Sequence, residues 1–327
     1  MLCENEIVSR YDALLIVSFG GPEKREEVIP FLENVLRGRN VPRERMLEAA
    51  EHYYHFNGRS PINDQNRALI AAVREQVSLP VYWGNRNWHP LLADAVRQMR
   101  DDGVKRALAF VTSAFGSYSG CRQYIENIEA ARAAVGSTGD ASPVIDKVPP
   151  FSHHPKFLEA MTDRVRDAFL ELPQGHLIFT AHSVPMAMAR SSPYVEELER
   201  ACAAVAGTLG RSDWKLVWQS RSGPPAQPWL EPDVCDYLRT LSSREISGGP
   251  CRDVVIVPIG FLSDHMEVIY DLDVVARQAA RELGIRMARA RTVESHPAMI
   301  EMIVGMLEQD QPRCDCGCCV YGARAAR

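Results

Sequence analysis

The sequence predicts an α/β fold with two similar halves, each a doubly wound parallel sheet flanked by helices. Short apolar stretches rich in β-branched residues alternate with amphipathic helical stretches along the chain. This order occurs twice, so the halves are expected to face each other across a cleft. The 327 residues are enough for about two domains, each with a core of its own.

The first half is expected to form a domain over residues 1–145. Its first strand ends in Gly20-Gly21-Pro22. No GxGxxG or GxxxxGK[ST] pattern accompanies these glycines, so a nucleotide site is not favoured. Residues 136–143 are rich in Gly, Ser and Thr and predict the edge of a linker. The strands are predicted at 11–19, 80–83 and 105–112, and the helices at 28–36, 66–75, 91–100 and 123–134.

The second half, 146–293, repeats this pattern. Its strands at 175–182, 214–222 and 253–259 resemble the three strands of the first half. Residues 294–310 are expected to form a helix that joins the first domain, and 311–327 form a cysteine-rich tail. In this alignment Phe19 corresponds to His182 and Cys121 to Glu267, so the chemistry is predicted to lie mainly in the second half.

An acidic stretch follows the strand at 253–259. Helical spacing resumes after Gly260, and Glu267 and Asp271 lie four residues apart on one face. Open α/β sheets bind ligands beyond the carboxyl ends of their strands, which is where this stretch begins. The alternative is that both residues are solvated acids that complement the dipole at a helix start.

His182 ends another buried strand and is followed by Ser183-Val184-Pro185. A histidine at a strand end is most often structural. However, His182 and Glu267 follow equivalent ends of two strands in one half, and such strands can be neighbours. An imidazole beside a carboxylate suits proton abstraction near neutral pH or the handling of a divalent metal ion.

Composition excludes several classes of protein. The net charge of −5 and the absence of a basic run exclude a nucleic-acid surface. No apolar run approaches the ~20 residues that span a bilayer, and the first eleven residues are too polar for a signal peptide. A cytoplasmic location is therefore expected. In a reducing compartment the nine cysteines indicate metal or redox roles rather than disulfides.

Four motifs resemble those of the ferrochelatase family, from about Tyr11 to Leu307, and the resemblance is closest to the actinobacterial-type coproporphyrin ferrochelatases. The motifs are Ser18-Phe19-Gly20-Gly21-Pro22-Glu23, Ala181-His182-Ser183-Val184-Pro185, Trp218-Gln219-Ser220 with the segment 228–234, and the segment 261–273. The resemblance implies two Rossmann-like, chelatase-type domains. It also implies insertion of Fe²⁺ into coproporphyrin III, bound between them, with release of two pyrrole protons.

The resemblance assigns roles to individual residues. His182 and Glu267 are the expected catalytic residues, and with Asp271 they are the expected ligands of the substrate iron. Two positions depart from related enzymes: Phe19 replaces a tyrosine that can ligate product iron, and Val275 replaces an outer acid. The expected porphyrin contacts are Phe19, Arg37, Arg39, Ser60, Asn63, Tyr124 and Trp218.

The tail contains four thiols within six residues, at Cys314, Cys316, Cys318 and Cys319. Such a cluster indicates a soft metal or a redox element. The resemblance implies a [2Fe–2S] cluster held by one internal cysteine, Cys121, and by three tail cysteines, for which Cys314, Cys316 and Cys319 are predicted. Zinc bound by the four tail thiols, or a reactive tail without metal, are the alternatives.

Three other functions remain open from the sequence. Protoporphyrin IX could replace coproporphyrin III, although Arg37, Arg39 and Arg59 are compatible with the four propionates of the latter. A non-catalytic carrier of tetrapyrrole or iron could use the same residues as ligands. Cobalt insertion into sirohydrochlorin is not favoured, because a histidine-rich metal site is missing from the sequence. Partner proteins of the haem pathway are possible.

Overall fold

The fold is that of a computed structural model, which describes residues 10–136, 142–224, 226–243, 251–309 and 319. The first half forms a four-stranded parallel sheet in the order β2-β1-β3-β4, and the second forms another in the order β6-β5-β7-β8. Counted from the first strand of each half, the two sheets have the same strand order, which confirms the predicted pair of similar α/β units. The strands are β1 (Ala13–Ser18), β2 (Val81–Asn85), β3 (Arg106–Val111), β4 (Val144–Lys147), β5 (His176–His182), β6 (Trp214–Gln219), β7 (Asp253–Val257) and β8 (Arg286–Arg289).

Helices cover both faces of the sheets, which is why the central strands β1 and β7 are apolar almost throughout and buried. The helices of the first half are α1 (Val28–Val35), α2 (Arg43–His55), α3 (Ile62–Arg74), α4 (Leu92–Asp101) and α5 (Gln123–Gly136). Those that follow are α6 (Pro155–Glu171), α7 (Met186–Arg190), α8 (Tyr194–Thr208), α9 (Val234–Ser243), α10 (Met266–Val268), α11 (Arg277–Glu282) and α12 (Pro297–Glu308).

Two π-helical segments occupy corresponding places in the halves. One spans Tyr118–Arg122 and leads into α5, and the other spans Ile269–Ala276 between α10 and α11. Such segments are rare and occur frequently at functional sites. The first contains Cys121 and the second contains Asp271, so both carry residues to which the sequence assigns chemistry.

Each half has a core cluster of its own, and a further cluster is shared by both. A single cluster of buried side chains runs from Leu14 and Phe110 of the first sheet to Phe179 of the second. Helix α6 lies between the sheets, and its Phe157 contacts Phe115 with ring centroids 6.0 Å apart. Helix α12 packs against α6 and also against α3 of the first half. The exact domain limits at 145 and 293 stay a prediction.

Two glycines allow the close approaches that shape the loops at the strand ends. Gly20 follows β1 at φ +80°, and a Cβ there would lie 2.8 Å from Asn85 Cβ. Gly260 follows β7, where a Cβ would lie 2.6 Å from Ala181 Cβ. The chain after β7 can therefore pass directly beside the end of β5. Within the described residues, no helix is long and apolar enough to cross a membrane.

Candidate active site

His182 is the last residue of β5, and its backbone and ring are both held. The hydroxyl of Tyr194 donates to the His182 carbonyl oxygen at 3.0 Å. Ring atom Nδ1 lies in hydrogen-bond contact with the carbonyl oxygen of Ser183. Since a carbonyl oxygen only accepts, Nδ1 must carry the proton. In the neutral ring, Nε2 is therefore the atom with a free lone pair.

Glu267 meets His182 across the ends of β5 and β7. The distance from His182 Nε2 to Glu267 Oε1 is 3.5 Å, and the side chains are 30% and 50% exposed. Two contacts fix the backbone of Glu267: its N–H donates to His265 Nδ1 at 3.2 Å, and its carbonyl accepts from Gln219 Nε2 at 2.6 Å. The structure thus brings together the imidazole and the carboxylate that the sequence singled out.

The two groups shift each other's pKa. Burial lowers the pKa of His182, but the Glu267 carboxylate and the Ser183 carbonyl outweigh burial and raise the pKa to about 9. Burial likewise raises the pKa of Glu267, and the charge of His182 reverses this and lowers it to about 2. At neutral pH, without substrate, the pair is therefore an imidazolium beside a carboxylate.

Asp271 lies in the second π-helical segment, beyond Glu267. The hydroxyl of Ser220 hydrogen-bonds to its Oδ2. Burial raises the pKa of Asp271. The hydrogen bond from Ser220 opposes this rise and the charge of Glu267 adds to it, so that the pKa is about 7. A carboxyl group with this pKa can exchange a proton at neutral pH, which suits a proton relay.

Helix α2 of the first half covers this site from the opposite side. His52 stacks on Tyr270, with ring centroids 3.9 Å apart and the planes 12° apart. His55 contacts the same ring edge-on at 6.0 Å. The carboxylate of Glu267 raises the pKa of His52, although burial has the larger effect and the pKa is lowered. The segment that carries Glu267 and Asp271 therefore contacts helix α2 of the first half through Tyr270.

A partly buried arginine follows β2 in the first half. The guanidinium of Arg86 lies 5.6 Å from the centre of the Phe19 ring and 5.0 Å from that of Tyr124. Its Nε is buried and has no hydrogen-bond partner among the residues that the structure describes. Burial lowers the pKa of Arg86, and the charge of nearby Arg39 lowers it further. A carboxylate ligand would compensate this cation.

A family model described as ferrochelatase matches residues 11–311. The chain belongs to the ferrochelatase family. It is 53% identical over 308 residues to a ferrochelatase of Rhodopirellula baltica, covering 91% of this chain and 86% of that protein. It is 48% identical over 316 residues to a coproporphyrin III ferrochelatase of Nocardia farcinica, covering 91% and 88%. Membership makes it a lyase-class metal chelatase of haem biosynthesis, with a porphyrin and Fe²⁺ as substrates.

The fold is also shared with a distant chelatase structure. SirB from Bacillus subtilis with Fe³⁺ aligns with a TM-score of 0.56 at 12% identity, over 90% of this chain and 92% of SirB. At this identity the similarity concerns the fold alone. It agrees with the two four-stranded parallel sheets and confirms the predicted chelatase-type architecture.

The expected iron ligands all lie in the second half. No group of three or more His, Cys, Asp or Glu side chains suited to a metal ion converges within the described ranges. The Ser220 hydroxyl bonds to Asp271 Oδ2, and Val275, at 41% exposed, stands where related sequences have an acid. Binding of the substrate iron by His182, Glu267 and Asp271 stays a prediction.

The expected porphyrin contacts fall into exposed and buried groups. Phe19 is 37% exposed, and Arg37 and Arg39 are exposed beside α1. Asn63 is buried and donates to Gly21 O at 3.1 Å, so it supports the loop after β1. Ser60, Tyr124 and Trp218 are also buried. Direct contact with porphyrin stays a prediction for all seven residues.

The predicted cluster ligands are only partly described. Cys121 is buried, and Lys147 Nζ lies 3.4 Å from its Sγ. Cys319 is also buried, at 4% exposed. Cys314 and Cys316, like Cys318, lie outside the described residues. The two described thiols are buried sulfur donors of the type that soft metals prefer, so they fit such a group.

The sequence analysis did not predict helix α2 or single out its residue His52, and it did not single out Arg86. No periodic apolar pattern marked α2, whose buried residues are only Met46 and Ala50. The pair of histidines at 52 and 55 at its carboxyl end, one helical turn apart, was a usable signal. Arg86 follows a strand that the sequence identified, yet its burial between two aromatic rings arises from tertiary packing.

Proposed function

We propose that the chain inserts Fe²⁺ into coproporphyrin III and gives coprohaem, with His182 and Glu267 as the catalytic pair. The observation that carries the proposal is the 3.5 Å approach of His182 Nε2 to Glu267 Oε1 at the adjoining ends of two parallel strands. The coproporphyrin III ferrochelatase of Nocardia farcinica, 48% identical, supports the choice of porphyrin.

The reaction removes two protons from the pyrrole nitrogens and replaces them with one Fe²⁺, so the charge balances. Because Nδ1 of His182 donates to the Ser183 carbonyl, Nε2 is the atom that accepts a proton or binds the ion. The His182 imidazolium must first lose its proton, and Glu267, whose pKa is about 2, stays ionised beside it. Asp271, with its pKa of about 7, passes protons on toward solvent.

Cationic groups around the cleft support a substrate with four carboxylates. Arg37 and Arg39 are exposed and available to propionates. Arg86 is partly buried, and its buried Nε lacks a partner within the described chain. A charge-assisted hydrogen bond contributes about 1.5–3 kcal/mol, so two additional propionates could produce a strong preference over protoporphyrin IX. Arg59 is less available, because its guanidinium already pairs with Asp64 at 2.5 Å.

A [2Fe–2S] cluster held by Cys121, Cys314, Cys316 and Cys319 is part of the proposal. Its support is the burial of Cys121 and Cys319 and the number of thiols in the tail. When bound, the cluster would supply one-electron redox chemistry or a structural staple for the tail. The insertion steps assigned to His182, Glu267 and Asp271 do not pass through it. A cytoplasmic location is proposed on the composition of the chain.

The decisive experiment compares turnover on the two porphyrins under anaerobic conditions. With Fe²⁺ and each porphyrin, kcat/KM should be at least about tenfold higher for coproporphyrin III, equivalent to 1.4 kcal/mol. His182→Ala and Glu267→Gln should fold and lose insertion. Equal or reversed preference would contradict the substrate assignment. A reaction that stops at one equivalent of product would instead indicate a carrier.

A further inference from the structure

The segment that carries Glu267 and Asp271 is helical, but most of it has π geometry. Helix α10 is only three residues long and is followed at once by the π-helical segment Ile269–Ala276. Such geometry is rare and occurs frequently at functional sites. Side-chain contacts from elsewhere in the fold also hold both ends of this segment.

Arg289, the last residue of β8, supplies such contacts at both ends of the segment. Its Nε donates to Asp273 Oδ1 at 2.8 Å. Its Nη1 and Nη2 donate to the two oxygens of Asp264 at 3.2 and 3.3 Å. Asp264 precedes Glu267 by three residues, and Asp273 follows Asp271 by two. One guanidinium thus joins the residues that flank the two functional carboxylates.

Asp264 is also anchored to the first half. Its backbone N–H donates to Gln65 Oε1 of α3 at 2.7 Å, and its Oδ1 accepts from Thr292 Oγ1 at 3.3 Å. The side chains of Arg289 and Asp264 are each only 12% exposed, so solvent screens their interaction weakly. The planar fork of arginine serves both aspartates at once, which a lysine ammonium cannot reproduce.

We propose that Arg289 is a positioning residue for metal insertion, holding the segment 264–273 so that Glu267 stays beside His182 and Asp271 stays beside Ser220. The inference rests on the proposed roles of Glu267 and Asp271. It assigns Arg289 no contact with porphyrin or iron. Loss of the guanidinium leaves the Asp264 carboxylate, 12% exposed, without its cation, and leaves Asp273 with only the longer 3.4 Å contact to Arg277 Nη2, which would displace the segment.

The same strand offers a matched control. Arg286, at the other end of β8, forms a similar two-pronged pair with Asp253, with Nε to Oδ1 at 2.6 Å and Nη2 to Oδ2 at 2.5 Å. The Arg286 side chain is 72% exposed, and the pair lies at the opposite end of the sheet from His182. Substitution there removes an arginine–aspartate pair from β8 without disturbing the segment 264–273.

The test measures kcat and KM for iron insertion, together with Tm, in Arg289→Lys, Arg289→Ala, Arg286→Lys and Arg286→Ala. A displacement of about 1 Å costs on the order of 100-fold in rate, so Arg289→Lys should lower kcat about 10- to 100-fold. KM for porphyrin should change less than about threefold, because the porphyrin contacts lie elsewhere. Guanidinium ion at millimolar concentration should restore part of the kcat of Arg289→Ala and leave Arg286→Ala unchanged.

Three results would overturn the proposal. One is a wild-type kcat in folded Arg289→Lys. Another is a loss of kcat that matches the unfolded fraction, which would indicate a purely structural role. The third is an equal loss in the Arg286 variants. If Arg289→Ala fails to fold, Arg289→Lys decides alone. Failure of the proposed function is distinguishable, because wild-type protein or the Arg286 variants would then lack insertion as well.

Discussion

The imidazole of His52 and the phenol ring of Tyr270 stack face to face, with centroids 3.9 Å apart. His52 belongs to α2 of the first half and Tyr270 to the π-helical segment of the second, so the stack joins the two sides of the cleft next to Glu267. Burial lowers the pKa of His52, and a neutral ring in this position stacks without the cost of a desolvated charge.

We expect His52→Ala to lower the free energy of unfolding by about 0.5–1.5 kcal/mol, the usual contribution of a stacked pair. His52→Phe retains a flat ring and should restore most of that loss. Urea unfolding at pH 7 measures both variants. Equal destabilisation by His52→Ala and His52→Phe would show that the polar edge of the ring, rather than stacking, stabilises the contact.

The charge state of His182 should depend on Glu267. In the free protein the His182 imidazolium should persist through neutral pH and titrate near pH 9, because the carboxylate lies 3.5 Å from Nε2. In Glu267→Gln burial then dominates, and the titration should move below the ordinary value of about 6.5. NMR titration of the ring protons measures both proteins. An unchanged titration in Glu267→Gln would contradict the pairing.

The same pair gives the pH dependence of stability a definite sign. The folded-state pKa of His182 is raised, so its stabilisation is complete below about pH 6.5 and is lost as the pH rises through about 9. The pKa of Glu267 is lowered, so its contribution is complete above about pH 4.5 and is lost as the pH falls toward about 2. Glu267→Gln should therefore be most destabilised relative to wild type between about pH 5 and 6.5.

Asp271 should govern the rise of kcat with pH. Its carboxylate forms as the pH passes about 7, so kcat should increase through that value. Asp271→Asn should remove the rise and lower kcat by about 100-fold, the lower end of the range for general acid–base groups. Ser220→Ala is the matched variant: without the Ser220 hydroxyl the pKa of Asp271 rises, and the limb should move to higher pH. If kcat of Asp271→Asn still rises with pH near 7, the rise belongs to another titrating group.

The sequence was sufficient for three strands of each sheet and for the approach of His182 to Glu267. Strands β1, β5 and β7 are short apolar runs with clear limits, and the carboxyl ends of neighbouring parallel strands always share one edge of a sheet. This rule predicts which functional residues lie close together from the strand order alone, without knowledge of side-chain packing.

The remaining features depend on contacts between residues far apart in sequence. Strands β4 and β8 are only four residues long and were missed, although β8 provides Arg289. The π-helical geometry of Ile269–Ala276 has no local signature, because its residues also suit an α-helix. Arg289 was likewise invisible as a functional residue, since its partners Asp264 and Asp273 lie 25 and 16 residues away.

Arg86 provides a test of carboxylate recognition. Because its Nε is unpartnered within the described residues, a propionate should gain a charge-assisted hydrogen bond there. We expect Arg86→Met to raise KM for coproporphyrin III by about 10- to 100-fold, equivalent to about 1.5–3 kcal/mol. Stability should be unchanged or increased, because a partly buried cation is removed. Arg97→Met is the control, since Arg97 is exposed and pairs with Asp94 on the surface of α4. Unchanged KM in Arg86→Met would contradict a carboxylate contact.

Cys121 distinguishes the proposed cluster from the alternatives for the tail. If Cys121 and three tail thiols hold a [2Fe–2S] cluster, the purified protein should contain two iron and two sulfide per chain and absorb visible light. Cys121→Ser should then lose both metal and colour, whereas Cys251→Ser should keep them, because Cys251 is not a predicted ligand and its Sγ donates to the Asp253 carbonyl at 3.3 Å. Zinc held by the four tail thiols would instead survive in Cys121→Ser, since that site does not use Cys121. Metal and sulfide analysis of the three proteins separates these outcomes, and a wild-type chain with neither metal would leave the thiols as a reactive tail.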